Sequence, residues 1–195
     1  MMKFKYFSLI FLLFFIIQMT AQVKNEREFR IELASFPEKA QQTLKFIPKE
    51  AKRVRFYKEE DGDKSSFESK FKYDGDWYSV EFNTEGFLED VEVKVRKSKI
   101  GDDLLDTIEG YLNNHFKKFD YVKIQQQFLQ DMKASDEDFL VSVTSRTNPS
   151  PPNWEIVMMV KVDKTYEIQE LTFDSKGTFI NSRTLEPTSY ENIMF

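Results

Sequence analysis

What most limits the fold of this chain is a stretch of alternating apolar and charged residues punctuated by glycine turns. Phe67, Ser69, Phe71 and Tyr73 share one face of an extended segment, and Glu68, Lys70 and Lys72 share the other. A period of two is the mark of a half-buried strand, with one face on a core and one in water. Asp74-Gly75-Asp76 follows, an Asp-Gly step of the kind that closes tight hairpins. Tyr78, Val80 and Phe82 then line the next strand. Upstream, Val54 and Phe56 alternate with Arg53 and Arg55 ahead of an Asp61-Gly62-Asp63 turn. Downstream, Asn83 to Gly86 turns the chain, and Val91, Val93 and Val95 alternate with charged residues. Four antiparallel strands are expected from this region.

A helix precedes them. Ser35-Phe36-Pro37-Glu38 is a helix start, with Pro just inside the first turn. Phe36, Ala40, Leu44 and Ile47 give one apolar stripe, and Pro48 ends it. The same order then recurs. Ile100, Leu104, Leu105, Ile108, Tyr111, Leu112, His115 and Phe116 recur at steps of three and four, as in an amphipathic helix. Strands are expected at Asp138 to Ser145, Trp154 to Val162, Tyr166 to Asp174 and Thr178 to Leu185, with a rigid loop at Asn148 to Asn153. Tyr121 to Lys133 reads as a strand or a second helical piece, the strand being favoured.

Val80-Glu81-Phe82-Asn83-Thr84-Glu85-Gly86-Phe87 parallels Leu171-Thr172-Phe173-Asp174-Ser175-Lys176-Gly177-Thr178. Each places Gly where a turn requires positive φ. The expected fold class is α+β: two tandem repeats, each a helix packed on a four-stranded antiparallel β-sheet. The repeats fall at residues 35–97 and 98–187, after a lead-in at 22–34 and before a tail at 188–195. A helix across one sheet face leaves the other face partly open.

The Phe-Pro helix start, the strand-turn-strand run and the repeated Phe-Asn/Asp-x-x-Gly turn resemble PepSY-like domains of exported bacterial proteins, which are similar in fold to the beta-lactamase-inhibitor protein. The resemblance spans roughly Glu32 to Pro187. It implies tandem helix-on-sheet units and association with, or inhibition of, extracytoplasmic enzymes. It carries over no binding residue, because the matching positions are turn and core positions, and Asn148 to Val162 departs from the pattern as an insertion.

The first residues bear on location. Lys3 and Lys5 precede an apolar run from Tyr6 to Ile17, and Ala21 offers a cleavage point before Gln22. This is expected to be a cleaved signal peptide over residues 1–21, too short for a comfortable membrane span. Two lysines and no acids leave with it, which takes the net charge from −5 to −7. An acidic chain is a poor partner for nucleic acid, whose phosphates call for Lys and Arg. With no cysteine, an exported fold must hold by packing, and its phenylalanines are the means.

Chemistry is sparse. The one histidine, His115, lies near the stripe of the second helix, and no Gly-x-Ser-x-Gly turn exists to supply a nucleophile. Glu59-Glu60-Asp61-Gly62-Asp63 offers oxygens at alternate positions but fails the EF-hand pattern, with Ser66 at the glycine position and Lys72 at the bidentate position. It reads as a hairpin turn, as do Asp74-Gly75-Asp76 and Asp136-Glu137-Asp138. No catalytic, metal or cofactor residue is expected, and two small sheets offer no obvious deep cleft for a carboxylate pair. Trp154 to Val162 is apolar on both faces, so it is either a doubly covered strand or part of a binding surface. Trp77 lies on the face opposite Tyr78, Val80 and Phe82. Trp77, Trp154 and Met159 are the candidate partner-binding residues. The expected function is a non-catalytic module engaging an extracytoplasmic protein. The alternatives are a carrier of a small apolar or envelope ligand in a groove between helix and sheet, and a carboxylate-driven hydrolase.

Overall fold

Ten strands hydrogen-bond side by side in one continuous sheet, in the order β1-β10-β9-β8-β7-β6-β5-β4-β3-β2. The computed structural model describes residues 22–131, 133–148 and 151–186. The expected signal peptide and the tail at 188–195 lie outside the described residues. The strands are β1 (Gln22–Lys24), β2 (Glu26–Arg30), β3 (Lys52–Asp61), β4 (Lys64–Tyr73), β5 (Asp76–Phe82), β6 (Leu88–Lys94), β7 (Phe119–Leu129), β8 (Asn153–Val162), β9 (Thr165–Phe173) and β10 (Phe179–Leu185). The helices are α1 (Glu38–Thr43), α2 (Asp102–His115) and α3 (Asp136–Thr144). The class is α+β, as expected. The layout of two four-stranded sheets gives way to one ten-stranded sheet, because β6 pairs antiparallel with β7 across the middle of the chain.

The lead-in carries what the sequence pattern missed. β1 and β2 are halves of one segment, parted only by Asn25. β1 pairs in parallel with β10, and β2 pairs antiparallel with β3. One short segment therefore spans both ends of the sheet and curls it nearly into a barrel. Arg183 on β10 lies 3.8 Å from Asp61 on β3 across that seam, and the Asn25 amide donates to Asp61 Oδ1 at 2.9 Å.

All three helices pack on the convex face. Phe36, Ala40 and Leu44, on and beside α1, are buried against Phe71, Tyr78, Val80 and Phe82, and α3 joins that cluster through Phe139, Leu140 and Val143. α2 buries Ile108 and Leu112 against Ile124, Trp154, Ile156, Met158 and Phe173. The alternating residues read as apolar are these, and their burial is the main stabilising contribution.

Two expectations change. Asp138 to Ser145, expected as a strand, is α3. Ser135 caps it by accepting the Asp138 amide at 3.1 Å, and Asp136, Glu137 and Asp138 form its acidic first turn rather than a hairpin turn. The strand of this region is Phe119–Leu129, which overlaps the segment Tyr121 to Lys133 for which strand was favoured but starts two residues earlier. The first helix is also shorter, an α-helical turn running into a 3₁₀ turn at Leu44–Phe46.

Both Gly turns serve the helices. Gly86 (φ 84°) and Gly177 (φ 83°) sit in the left-handed region. Asn83 Oδ1 accepts the Glu85 and Phe87 amides at 3.0 and 3.1 Å, and Asp174 Oδ1 accepts the Lys176 and Thr178 amides at 2.8 Å. A Cβ on Gly86 would meet Pro37 Cβ at 2.8 Å, and one on Gly177 would meet Thr107 Cγ2 at 3.0 Å. Each glycine lets a helix lie directly on its turn.

Candidate functional site

The residues that alternate with the core point into the curl of the sheet. There they line a cavity of about 720 Å³ with eleven carboxylates and six cationic side chains. This corrects the expectation that no deep cleft exists: the cleft comes from joining both halves and the lead-in into one curved sheet. Its wall is polar, apart from Trp77 and Tyr78 and a small patch of Val157 and Leu185, against which Ile168 packs.

Strand register sets acids against acids. Glu28 faces Glu59, Glu68 faces Glu81, and Glu81 faces Asp90 on successive strands. Like charges placed directly opposite destabilise a sheet, and two devices relieve them here. The first is cations. Lys70 Nζ lies 2.6 Å from Glu28 and 2.9 Å from Glu68. Lys24 lies 2.6 Å from Glu26 and 3.2 Å from Glu170, and Arg183 lies 2.5 Å from Glu170. Burial alone would raise Glu170, but Lys24 and Arg183 hold it down to about 2. Lys70 likewise outweighs burial at Glu68 and lowers it.

The second device is protonation. Burial, then the charges of Glu92 and Glu68, pushes Glu81 up to about 7. Burial, then Glu68, raises Glu59, while burial followed by Glu92 raises both Asp90 and Glu155. Asp90 is 7% exposed, and its Oδ1 has no hydrogen-bond partner among the described residues. Its Oδ2 accepts from the Gln127 side-chain amide at 3.0 Å, but an oxygen buried with no donor disfavours the charged form and adds to the upward shift.

The end of the cavity around Trp77 is different. Trp77 faces Lys72 on β4 and Lys94 on β6, and the Arg53 guanidinium lies 5.9 Å from its ring centroid. Lys123 on β7 also lines this part of the wall.

The three candidate partner-binding residues do not meet. Trp154 is 5% exposed and packs under α2 with Ile156 and Met158. Trp77 and Met159 are half-buried on the opposite, concave side, on β5 and β8. Trp154 to Met158 are all buried, so this part of the strand is covered on both faces. His115 is exposed at the end of α2, its Nδ1 2.7 Å from the Tyr111 carbonyl and its ring stacked on Tyr111. It lies outside the cavity lining. The space between helices and sheet, where an apolar ligand would have to lie, is filled by the core side chains described above.

Carboxylate oxygens of Glu26, Glu28 and Glu59 lie within 4.8 Å of one another, close enough to share a cation. Lys24 and Lys70 already supply positive charge to two of the three. No period-two or turn signal could have revealed this group, because Glu26 and Glu28 reach it only through closure of the curl.

No family model and no curated protein matches the chain. Solved structures do. A DUF2874 family protein from Bacteroides ovatus superposes with a TM-score of 0.51 at 14% identity, covering 77% of this chain and 88% of that one. A protein from Bacteroides eggerthii, whose description suggests the periplasm, gives 0.51 at 12% identity over 76% and 88%. A BLIP-like protein from Bacteroides fragilis gives 0.48 at 11% identity over 76% and 86%. The chain thus shares its fold with DUF2874 family proteins of Bacteroides.

Proposed function

We propose that this protein is an exported, non-catalytic binding module that engages an extracytoplasmic protein through the concave face of its sheet. The observation that carries this reading is the open, charged cavity, which holds Trp77 on its wall and the one histidine outside it. Periplasmic location is supported by the expected signal peptide and by the description of the Bacteroides eggerthii neighbour. The PepSY-like relationship and the two-repeat organisation over 35–97 and 98–187 belong to the same proposal. Their support is the pair of turn glycines, each tucked beneath the helix of its own half. Trp77 and Met159 are the proposed contact residues on the concave side, and Trp154 holds β8 beneath α2.

The test is to crosslink the mature chain, tagged and expressed from Gln22 onward, in its native envelope. One saturable protein partner, lost on Trp77→Ala with the circular dichroism unchanged, is the expected result. Recovery of the chain alone from envelopes that express it normally would refute the reading.

A second reading, a carboxylate-driven hydrolase, draws on one observation. Glu68 and Glu81 stand directly opposite in the cavity with their pKa values driven apart, as acid and base pairs are. Against it, Glu68 is 7% exposed, with Lys70 and Ser79 on its oxygens. Turnover of a glycoside or ester that disappears in Glu81→Gln would favour it.

A further inference from the structure

The concave face ends in a cluster of cations that the rest of the molecule does not neutralise. Lys72 and Lys94 flank Trp77 on the two neighbouring strands, and Lys52 faces Lys72 from β3. Arg53 follows at a bulge in β3, with φ 58°, and its guanidinium stands over the indole. Lys123 is close enough for its charge to act on Lys94. Among the described residues, no carboxylate lies within ion-pair distance of Arg53, Lys72, Lys94 or Lys123. Glu170, whose charge does reach Lys123, is already bridged to Lys24 and Arg183.

This is an unfavourable arrangement for the protein alone. Half-buried Lys94 is desolvated and meets a second cation, and both effects pull its pKa below the ordinary lysine range. Deeper in the same cavity Lys24, Lys70 and Arg183 each sit within 3.2 Å of an acid. Glu50 and Asp74 lie beside Lys52, Arg53 and Lys72 at the rim, yet neither is within ion-pair distance of them, and Asp74 is bridged to Arg146. An anion lying between the ammonium groups would remove the repulsion, and the indole beside them offers a flat apolar face. Arg53 and Lys72 are exposed, while Lys94 and Lys123 are half-buried. A chain can therefore enter from the rim and run inward.

We infer that Trp77, Lys72, Lys94 and Lys123 form a docking site for the acidic segment of a protein partner, with carboxylates between the ammonium groups and an apolar side chain against the indole. The inference rests on the binding-module reading and names the chemistry of its partner. The net charge of the whole chain is −5. A polyanion therefore gains nothing from the overall field, and any attraction must come from this end.

The probe is a fluorescein-labelled peptide of glutamates flanking one phenylalanine, followed by anisotropy on the mature chain. Binding is expected, weakened roughly tenfold by Lys94→Gln or Lys123→Gln, and weakened by Trp77→Ala. The gentler Trp77→Phe, which keeps an aromatic ring in place, is expected to retain most of the affinity. The lysine variants should also melt higher than the wild type, because repulsion is removed while a ligand contact is lost. A merely structural lysine would lower the melting temperature. Absence of binding, or binding indifferent to these lysines, would overturn the site. So would inorganic phosphate competing as well as the peptide with Trp77→Ala neutral, since that describes a bare anion site. A chain that captures an envelope protein yet ignores the peptide sinks this inference and leaves the binding module standing.

Discussion

Glu81 and Glu170 line the same cavity and titrate in opposite directions. Glu81 is raised to about 7, so the folded state holds its proton more tightly than the unfolded chain does. The stability linked to it is present below the unfolded value near 4.5 and is lost as pH rises through about 7. Glu170 is lowered to about 2, so its contribution is present above 4.5 and is lost as pH falls through about 2. Asp90, Glu59 and Glu155 act in the same sense as Glu81. The melting temperature is therefore expected to be highest near pH 4.5, where the two windows meet, and to fall by several degrees at pH 8. Glu81→Gln should flatten that fall, gaining about 1 kcal/mol at pH 8, as read by urea unfolding at both pH values. Glu170→Gln should do the reverse. It strips the shared anion from buried Lys24 and Arg183, and a loss of about 3 kcal/mol is expected at pH 6.

The turns and helix starts carry the order of the fold. Gly62 and Gly86 both have positive φ (60° and 84°), yet a Cβ on Gly62 meets nothing within 4 Å while one on Gly86 strikes Pro37. Gly62→Ala should cost about 1 kcal/mol for the backbone alone, and Gly86→Ala about 3 kcal/mol, because the N-terminal end of α1 must lift as well. Equal losses in chemical denaturation would contradict the claim that helices rest on these turns. Ser135→Ala should cost about 1 kcal/mol through its cap. These elements also mark how far the pattern of residues could be read. β4, β5 and β6 were legible because each alternates cleanly between core and water. α3 was not, since Leu140 and Val143 serve a short strand or a short helix equally, and the Ser135 cap decides between them only once the chain is folded. β2 was illegible for a different reason. Its buried-side residues are Glu26 and Glu28, so the inward face of the strand is the charged one, against the rule that reads charge as water.

At the scale of the molecule, that inversion accounts for the cavity. Period-two reasoning assigned one face of β4, β5 and β6 to the helices, and then treated the other as solvated surface. Curling turned it into an interior, and the segment Gln22–Arg30 is what holds the curl. Removing that segment should free the edges of β3 and β10 and strip Lys24 from Glu170. Unpaired edges invite pairing with another chain, so the truncated protein is expected to self-associate in sedimentation velocity, where the mature chain keeps its edges paired.

The most direct measurement places a photoreactive residue at Lys72, on the rim of the concave face, and in a second variant at Asp106, exposed on α2. Both variants are irradiated in the native envelope. A binding module that works through the inside of its sheet gives a discrete adduct from residue 72 and none from residue 106. An adduct confined to residue 106 would put the working surface on the helices and contradict the account.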